Sequence, residues 1–112
     1  MSFELIPTTF FESDAKALKK RHRSLAADLT ALVESLQKEP TLGTLIAPDI
    51  YKIRLAIKSK GRGKSGGARV FTYVYLKNHE VYLLGILDKS DAENLSASTI
   101  NFRLSRILNE LL

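Results

Sequence analysis

The chain has no cysteine, two histidines, three prolines and one methionine among its 112 residues. Without cysteine there can be no disulfide, no thiolate-held zinc and no cysteine nucleophile. His22 and His79 lie far apart, with no ligand-like spacing to carboxylates, so neither a metal nor a cofactor is expected and both read as exposed loop residues. No Ser/His/Asp arrangement is visible either. No apolar run approaches the roughly 20 residues that cross a bilayer. Met1-Ser2-Phe3-Glu4 lacks the basic start and apolar stretch of a secretory signal, so a cytoplasmic protein without a membrane partner is expected.

The most informative absence is local. Residues 50–79 contain no Asp or Glu but eight cations: Lys52, Arg54, Lys58, Lys60, Arg62, Lys64, Arg69 and Lys77. The other 82 residues carry nine basic and twelve acidic side chains and sum to −3, so the net charge of +5 comes from this one segment. A solvated surface usually mixes both signs, whereas a phosphate-binding face does not.

What is present is an ordinary globular composition, 45% hydrophobic and 26% charged, of a length that suits one domain, residues 1–112. Weak alternation over residues 2–7 predicts a short strand ending at Pro7. Phe11, Ala15 and Leu18 recur at helical spacing opposite Lys16, Lys19, Lys20 and Arg21. Ser24 can cap a second helix with an apolar stripe of Leu25, Leu29, Leu32, Val33 and Leu36, ended by Pro40 and Gly43. These two form a helical hairpin. Residues 51–58 alternate cleanly, with Tyr51, Ile53, Leu55 and Ile57 facing one way and Lys52, Arg54, Ala56 and Lys58 the other. A Gly-rich basic loop follows over residues 59–67, then strands over 68–76 and 81–87 around a turn. Ser90-Asp91-Ala92-Glu93 fits a capping box for a short helix, and a last helix begins near Thr99. The order is βααβββα: an α+β fold, with a mostly antiparallel four-stranded sheet, an N-terminal helical hairpin and a C-terminal helix.

Side-chain parity extends this. If Val70, Thr72, Val74 and Leu76 join Ile53, Leu55 and Ile57 in the core, the other face shows Arg69, Phe71, Tyr73 and Tyr75 beside Lys52, Arg54 and Lys58. An open face of cations and rings suits single-stranded nucleic acid, with Lys58, Lys60, Arg62 and Lys64 on phosphates and Tyr73 and Tyr75 stacking on bases. The competing readings are that the rings pack beneath a helix and that the loop is a solvated turn. Gly61-Arg62-Gly63-Lys64-Ser65-Gly66 matches GxGxxG, but a strand follows it rather than a helix, so no helix N-terminus is there to hold a pyrophosphate. Gly63-Lys64-Ser65 resembles the end of a P-loop, but Lys58 stands where its first glycine belongs. Asn94-Leu95-Ser96 is formally a glycosylation acceptor, which means nothing without secretion.

The block Tyr51-Lys-Ile-Arg-Leu-Ala-Ile-Lys-Ser-Lys-Gly-Arg-Gly-Lys-Ser-Gly-Gly-Ala-Arg-Val-Phe-Thr-Tyr-Val-Tyr75 resembles the RelE/HigB-type toxins of bacterial type II toxin–antitoxin modules, in the RelE/ParE superfamily. Asp88-Lys-Ser-Asp-Ala-Glu-Asn-Leu95 resembles a second block of that family. The resemblance implies a metal-independent endoribonuclease that cuts mRNA in the ribosomal A site and is silenced by a cognate antitoxin. Antitoxin, mRNA and ribosome are then the expected partners. It further implies catalytic roles for Lys52, Arg54, Arg69 and Lys89. Arginine stays protonated, so Arg54 and Arg69 can stabilise charge but not take a proton. Lys52, crowded by like charges, is the better base, and Lys89 can donate a proton. Alternatively the four bind RNA electrostatically and transfer no proton. Some ribosome-dependent members of the family place an arginine and a tyrosine in the closing block, but here no Tyr follows Tyr82 and the next Arg after Arg69 is Arg103. A ParE-like toxin that poisons gyrase by protein contact and a non-catalytic RNA-binding protein of the same fold are the alternatives. By charge complementarity the antitoxin is expected to cover Arg54 and Arg69.

Overall fold

A computed structural model of the protein describes residues 2–61 and 66–111. The elements are β1 (Glu4–Pro7), α1 (Thr9–Arg21), α2 (Leu25–Lys38), β2 (Thr44–Ala47), β3 (Ile50–Leu55), β4 (Ala68–Tyr75), β5 (Glu80–Asp88) and α3 (Ala97–Leu111). One five-stranded sheet runs in the order β1-β5-β4-β3-β2. β1 lies parallel to β5 and every other pairing is antiparallel. The α+β class, the four expected strands, the N-terminal helical hairpin and the C-terminal helix are present, with one strand more than expected and no short helix at Ser90–Glu93.

The extra strand is β2, four residues whose side chains are mostly exposed at the sheet edge. Thr44-Leu45-Ile46-Ala47 shows no alternation because only one side of it meets the protein, and its pairing with β3 is irregular between Leu45 and Ala47. Two helix starts also differ from expectation. Ser24 occupies the N-cap of α2, but its hydroxyl donates to Asp28 Oδ2 at 2.7 Å and accepts the Ser59 N–H at 2.8 Å instead of capping. The Ser90–Glu93 capping-box pattern opens no helix. The last helix is capped by Ser96, whose hydroxyl accepts the Thr99 N–H at 3.1 Å, and Glu93 is used elsewhere.

Both faces of the sheet are covered. Phe11, Ala15 and Leu18 of α1 and Leu25, Leu29, Leu32 and Leu36 of α2 pack with Ile53, Ile57, Ala68, Val70, Leu83 and Ile86. Spacings of three and four put each helix's apolar residues on one stripe, and each fully buried leucine contributes about 1.5–3 kcal/mol. The opposite face packs Ile50, Phe71, Tyr73, Tyr82 and Leu84 against Ile100 and Ile107 of α3. The strand parity read from the sequence therefore holds for Ile53, Ile57 and Val70 on one side and Arg69, Phe71 and Tyr73 on the other. The expectation of an open aromatic face does not hold, because α3 lies on it.

α3 is fastened by Arg103, which also seals a sheet edge. β1 pairs with β5 only as far as Leu83, leaving later β5 backbone groups to find partners. Arg103 Nη1 donates to Leu84 O and to Asp14 Oδ2, both at 2.9 Å, and Asp14 accepts the Ile86 N–H at 3.3 Å. The guanidinium also lies 5.2 Å from the centre of the Phe10 ring. A Cβ at Gly85 would press on the tip of that guanidinium, which would have to shift to make room.

Candidate functional site

Three of the expected site residues converge on the β3–β4 pair. Arg54 of β3 stands directly opposite Arg69 of β4, and Lys52 stands opposite Phe71. Directly opposed residues hold their Cβ atoms about 5 Å apart, and Lys52 and Arg54, two residues apart, point to the same face. The hydrophobic alternation of β3 enforces this, since a slip of one residue would bury both cations and expose Ile53.

These cations differ in environment. Arg54 is exposed. Arg69 is buried, with its side chain only 2% exposed. Its Nε donates to Glu93 Oε2 at 2.6 Å, its Nη2 to Glu93 Oε1 at 3.4 Å and its Nη1 to Ala68 O at 3.0 Å. Lys52 Nζ lies 2.9 Å from Glu93 Oε2 and donates to Asn94 Oδ1 at 2.8 Å. Hydrogen bonds from Lys52 and then Arg69 pull the Glu93 carboxyl down to about 2. The neighbour that Lys52 meets is thus a carboxylate rather than the crowd of like charges inferred from the sequence. Lys89 follows the end of β5 and is held beside the start of β4 by its N–H to Gly67 O at 2.9 Å.

The loop residues divide. Lys58 is exposed, and its backbone N–H donates to the buried Asp28 Oδ2 at 3.2 Å, which fixes where the basic loop leaves the sheet. Lys60, expected on phosphate, turns inward to Asp88 Oδ1 at 2.8 Å, its side chain 13% exposed. Arg62 and Lys64 lie outside the described residues. Tyr73 is 8% exposed in the core under α3, 6.4 Å from the stacked Tyr75 ring and 6.1 Å from Tyr82. Tyr75 is half-buried against the same cluster. Tyr73 is four residues along β4 from Arg69, about 13 Å away. The rings accordingly build core rather than a stacking platform beside the cations. Burial pushes the Tyr73 hydroxyl up, and burial with the Glu80 hydrogen bond pushes Tyr82 up to about 12.

Sequence reasoning passed over the acids that organise this end of the molecule. Asp88, its side chain fully buried, accepts Lys60 Nζ at 2.8 Å, the Ser90 N–H at 2.9 Å and the Ser90 hydroxyl at 2.7 Å. It also meets His22 Nε2 at 2.6 Å and Arg21 Nη2 at 3.1 Å. Burial alone would push its carboxyl up, but the hydrogen bonds from Lys60, Ser90 and His22 outweigh that and hold it well below the usual carboxylate range. His22 is correspondingly no exposed loop residue, its side chain being 12% exposed. His79 is exposed in its turn and tilts against Phe3 at 5.1 Å. Among the described residues no group of three His, Asp or Glu is placed to hold a metal, and no helix is long and apolar enough to cross a membrane.

A structure of the E. coli toxin RelE in the free state, an arginine-to-alanine double variant, superposes with a TM-score of 0.60 over 96% of this chain and 99% of that one, at 16% identity. The chain has the RelE-type fold. A second structure, isolated E. coli RelE toxin, aligns over 99% of this chain and all of that one at 18% identity and a TM-score of 0.49. No family's sequence profile matches the chain. The RelE-type fold agrees with the expected α+β class.

Proposed function

We propose that this protein is the toxin of a type II toxin–antitoxin module and cuts mRNA on the ribosome. The observation that carries the reading is the meeting of Lys52, Arg54 and Arg69 on adjacent strands, one across from another, on a RelE-type fold. The proposed reaction is attack of a ribose 2′-oxygen on its adjacent phosphorus. The O–P bond to the 5′-oxygen breaks, leaving a 2′,3′-cyclic phosphate and a 5′-hydroxyl. The step needs a proton acceptor at the 2′-hydroxyl, cations for the added charge on phosphorus and a proton donor at the leaving oxygen. Arg54 and Arg69 suit the charge, since a guanidinium presents a fork of donors and keeps its proton. On the family resemblance alone, Lys52 is assigned to the 2′-hydroxyl and Lys89 to the leaving group; like-charge crowding no longer supports Lys52, which sits beside Glu93. Lys58 lies at the root of the basic loop, exposed to lead a strand of RNA towards them. Such weak acids and bases rely on the ribosome to hold the mRNA in a reactive geometry. A cognate antitoxin and the ribosome are the partners of this reading.

The test is primer extension on one mRNA, with and without translating ribosomes, using wild type, Lys52→Ala and Arg69→Ala. Cleavage that needs ribosomes and disappears in both folded variants is the expected result. Intact mRNA from a protein that nevertheless arrests growth would overturn the nuclease and direct attention to DNA gyrase and a supercoiling assay.

A further inference from the structure

We propose that Glu93 is a built-in occupant of the phosphate site, a carboxylate that closes the cationic pair until RNA displaces it. The inference rests on the proposed nuclease reading and adds to it a regulation of the same site.

Glu93 grips Arg69 as a phosphodiester would. Its two oxygens face Nε and Nη2 at 2.6 and 3.4 Å, and Oε2 also reaches Lys52 Nζ at 2.9 Å. A carboxylate and a phosphate offer the same pair of anionic oxygens to a guanidinium fork. With the carboxylate in place the Arg69 side chain is 2% exposed, so an incoming phosphate oxygen has to take the place of Glu93 to reach its Nε. Glu93 itself is 38% exposed, so it can withdraw directly into water.

The segment carrying Glu93 is built to swing. Residues 89–96 form neither helix nor strand. On one side they are anchored by the Asp91 and Ala92 N–H groups on Asp88 O, at 2.9 and 3.2 Å, and on the other by the Ser96 cap of α3. Between those anchors, Glu93 and Asn94 hold the sheet through side-chain contacts with Arg69 and Lys52, and Leu95 packs beside the α3 cluster. Withdrawal of Glu93 breaks its two ion pairs, with Arg69 and with Lys52, and the swing of the segment also breaks the Lys52 to Asn94 hydrogen bond. RNA binds the open form alone, so its apparent affinity falls by the fraction of molecules that are closed.

The experiment compares wild type, Glu93→Gln and Asn94→Ala in two readouts. One is fluorescence anisotropy with a short single-stranded RNA carrying 2′-O-methyl riboses, which cannot be cleaved. The other is phenylglyoxal modification of Arg69, located by mass spectrometry. Expected are a protected Arg69 in wild type, a reactive one in Glu93→Gln, and RNA binding about tenfold tighter in Glu93→Gln although that variant melts at a lower temperature. Asn94→Ala shifts both readouts the same way by less, and carries the test if Glu93→Gln does not fold. A purely structural ion pair would lower stability and binding together. Arg69 equally reactive in wild type and folded Glu93→Gln, or RNA binding unchanged or weaker in a variant whose Arg69 has opened, would overturn the inference. If Arg69 opens but neither protein binds RNA at low salt, Glu93 does not stand in for RNA phosphate and the inference falls, whereas the nuclease reading itself falls only if the ribosome-dependent primer extension shows intact mRNA.

Discussion

Asp88→Asn should be the most destabilising isosteric change in the molecule's charged network. The substitution keeps shape and removes the charge that Lys60, His22, Arg21 and Ser90 converge on, within a side chain that is fully buried. Removing one partner of a buried ion pair costs about 3–5 kcal/mol, because the other charge is left uncompensated. Lys60 is 13% exposed and Arg21 is 45% exposed, so both can recover some hydration and the lower end, about 3 kcal/mol, applies. At roughly 4 °C per kcal/mol for a domain of this size, the melting temperature falls by roughly 12 °C. The pH dependence has a definite sign. The Asp88 carboxyl sits below its ordinary 3.8 in the folded protein, so between those values the unfolded chain binds more protons and stability rises with pH. The difference between wild type and variant is thus constant at neutral pH and shrinks as pH falls below about 4 towards the depressed folded value. Urea unfolding followed by circular dichroism at a series of pH values measures it. A loss under about 1 kcal/mol, the size of an exposed ion pair, or a difference that grows on acidification, would refute the reasoning.

Two further changes test the packing that positions the site. Gly85→Ala places a methyl group on the tip of the Arg103 guanidinium and against Leu95, so Arg103 shifts off its hydrogen bonds and stability falls by about 1 kcal/mol, read from the urea midpoint; an unchanged midpoint would mean that Arg103 does not hold α3 there. Thr72→Val replaces a buried hydroxyl that has no hydrogen-bond partner among the described residues, and should raise stability by about 1 kcal/mol; a loss of that size would show that the hydroxyl is satisfied.

The regular elements were legible because their signals are local. The stripes of α1 and α2 and the alternation of residues 51–55 follow from burying one side of each element, and the structure places them where the pattern does, although β3 stops at Leu55 and residues 56–58, expected to continue it, lead into a turn. β2 was not legible, since four residues at an exposed edge carry no two-sided pattern. The fate of the sheet's second face was not legible for a different reason. Parity separates Phe71 and Tyr73 from Val70 but does not say what covers them, and α3 is amphipathic enough to have packed on either side. The strand cations were found through their residue types. Their partners were missed because Glu93 and Asp88 lie 24 and 28 residues from Arg69 and Lys60, respectively, in contacts that only the tertiary fold creates.

That last failure changes what the charge pattern means. Read along the chain, residues 50–79 are a block of cations without an acid, which suggests a surface given over to an anionic ligand. In space, the acids just beyond that block fold back on it: Asp88 takes Lys60, and Glu93 takes Lys52 and Arg69. Asp91 meanwhile takes Arg21 at the end of α1. Segregation in sequence is therefore no guarantee of segregation on the surface, and of the strand cations at the site only Arg54 stands fully open. The two kinds of pairing differ in consequence. Asp88 is enclosed, so its partners are committed to holding the turn after α1, the basic loop and the end of β5 together. Glu93 is partly in water, in an irregular segment, and its bond to Arg69 is the one we propose another anion displaces. One acid thus fixes the frame of the site, and the other decides whether the site is open.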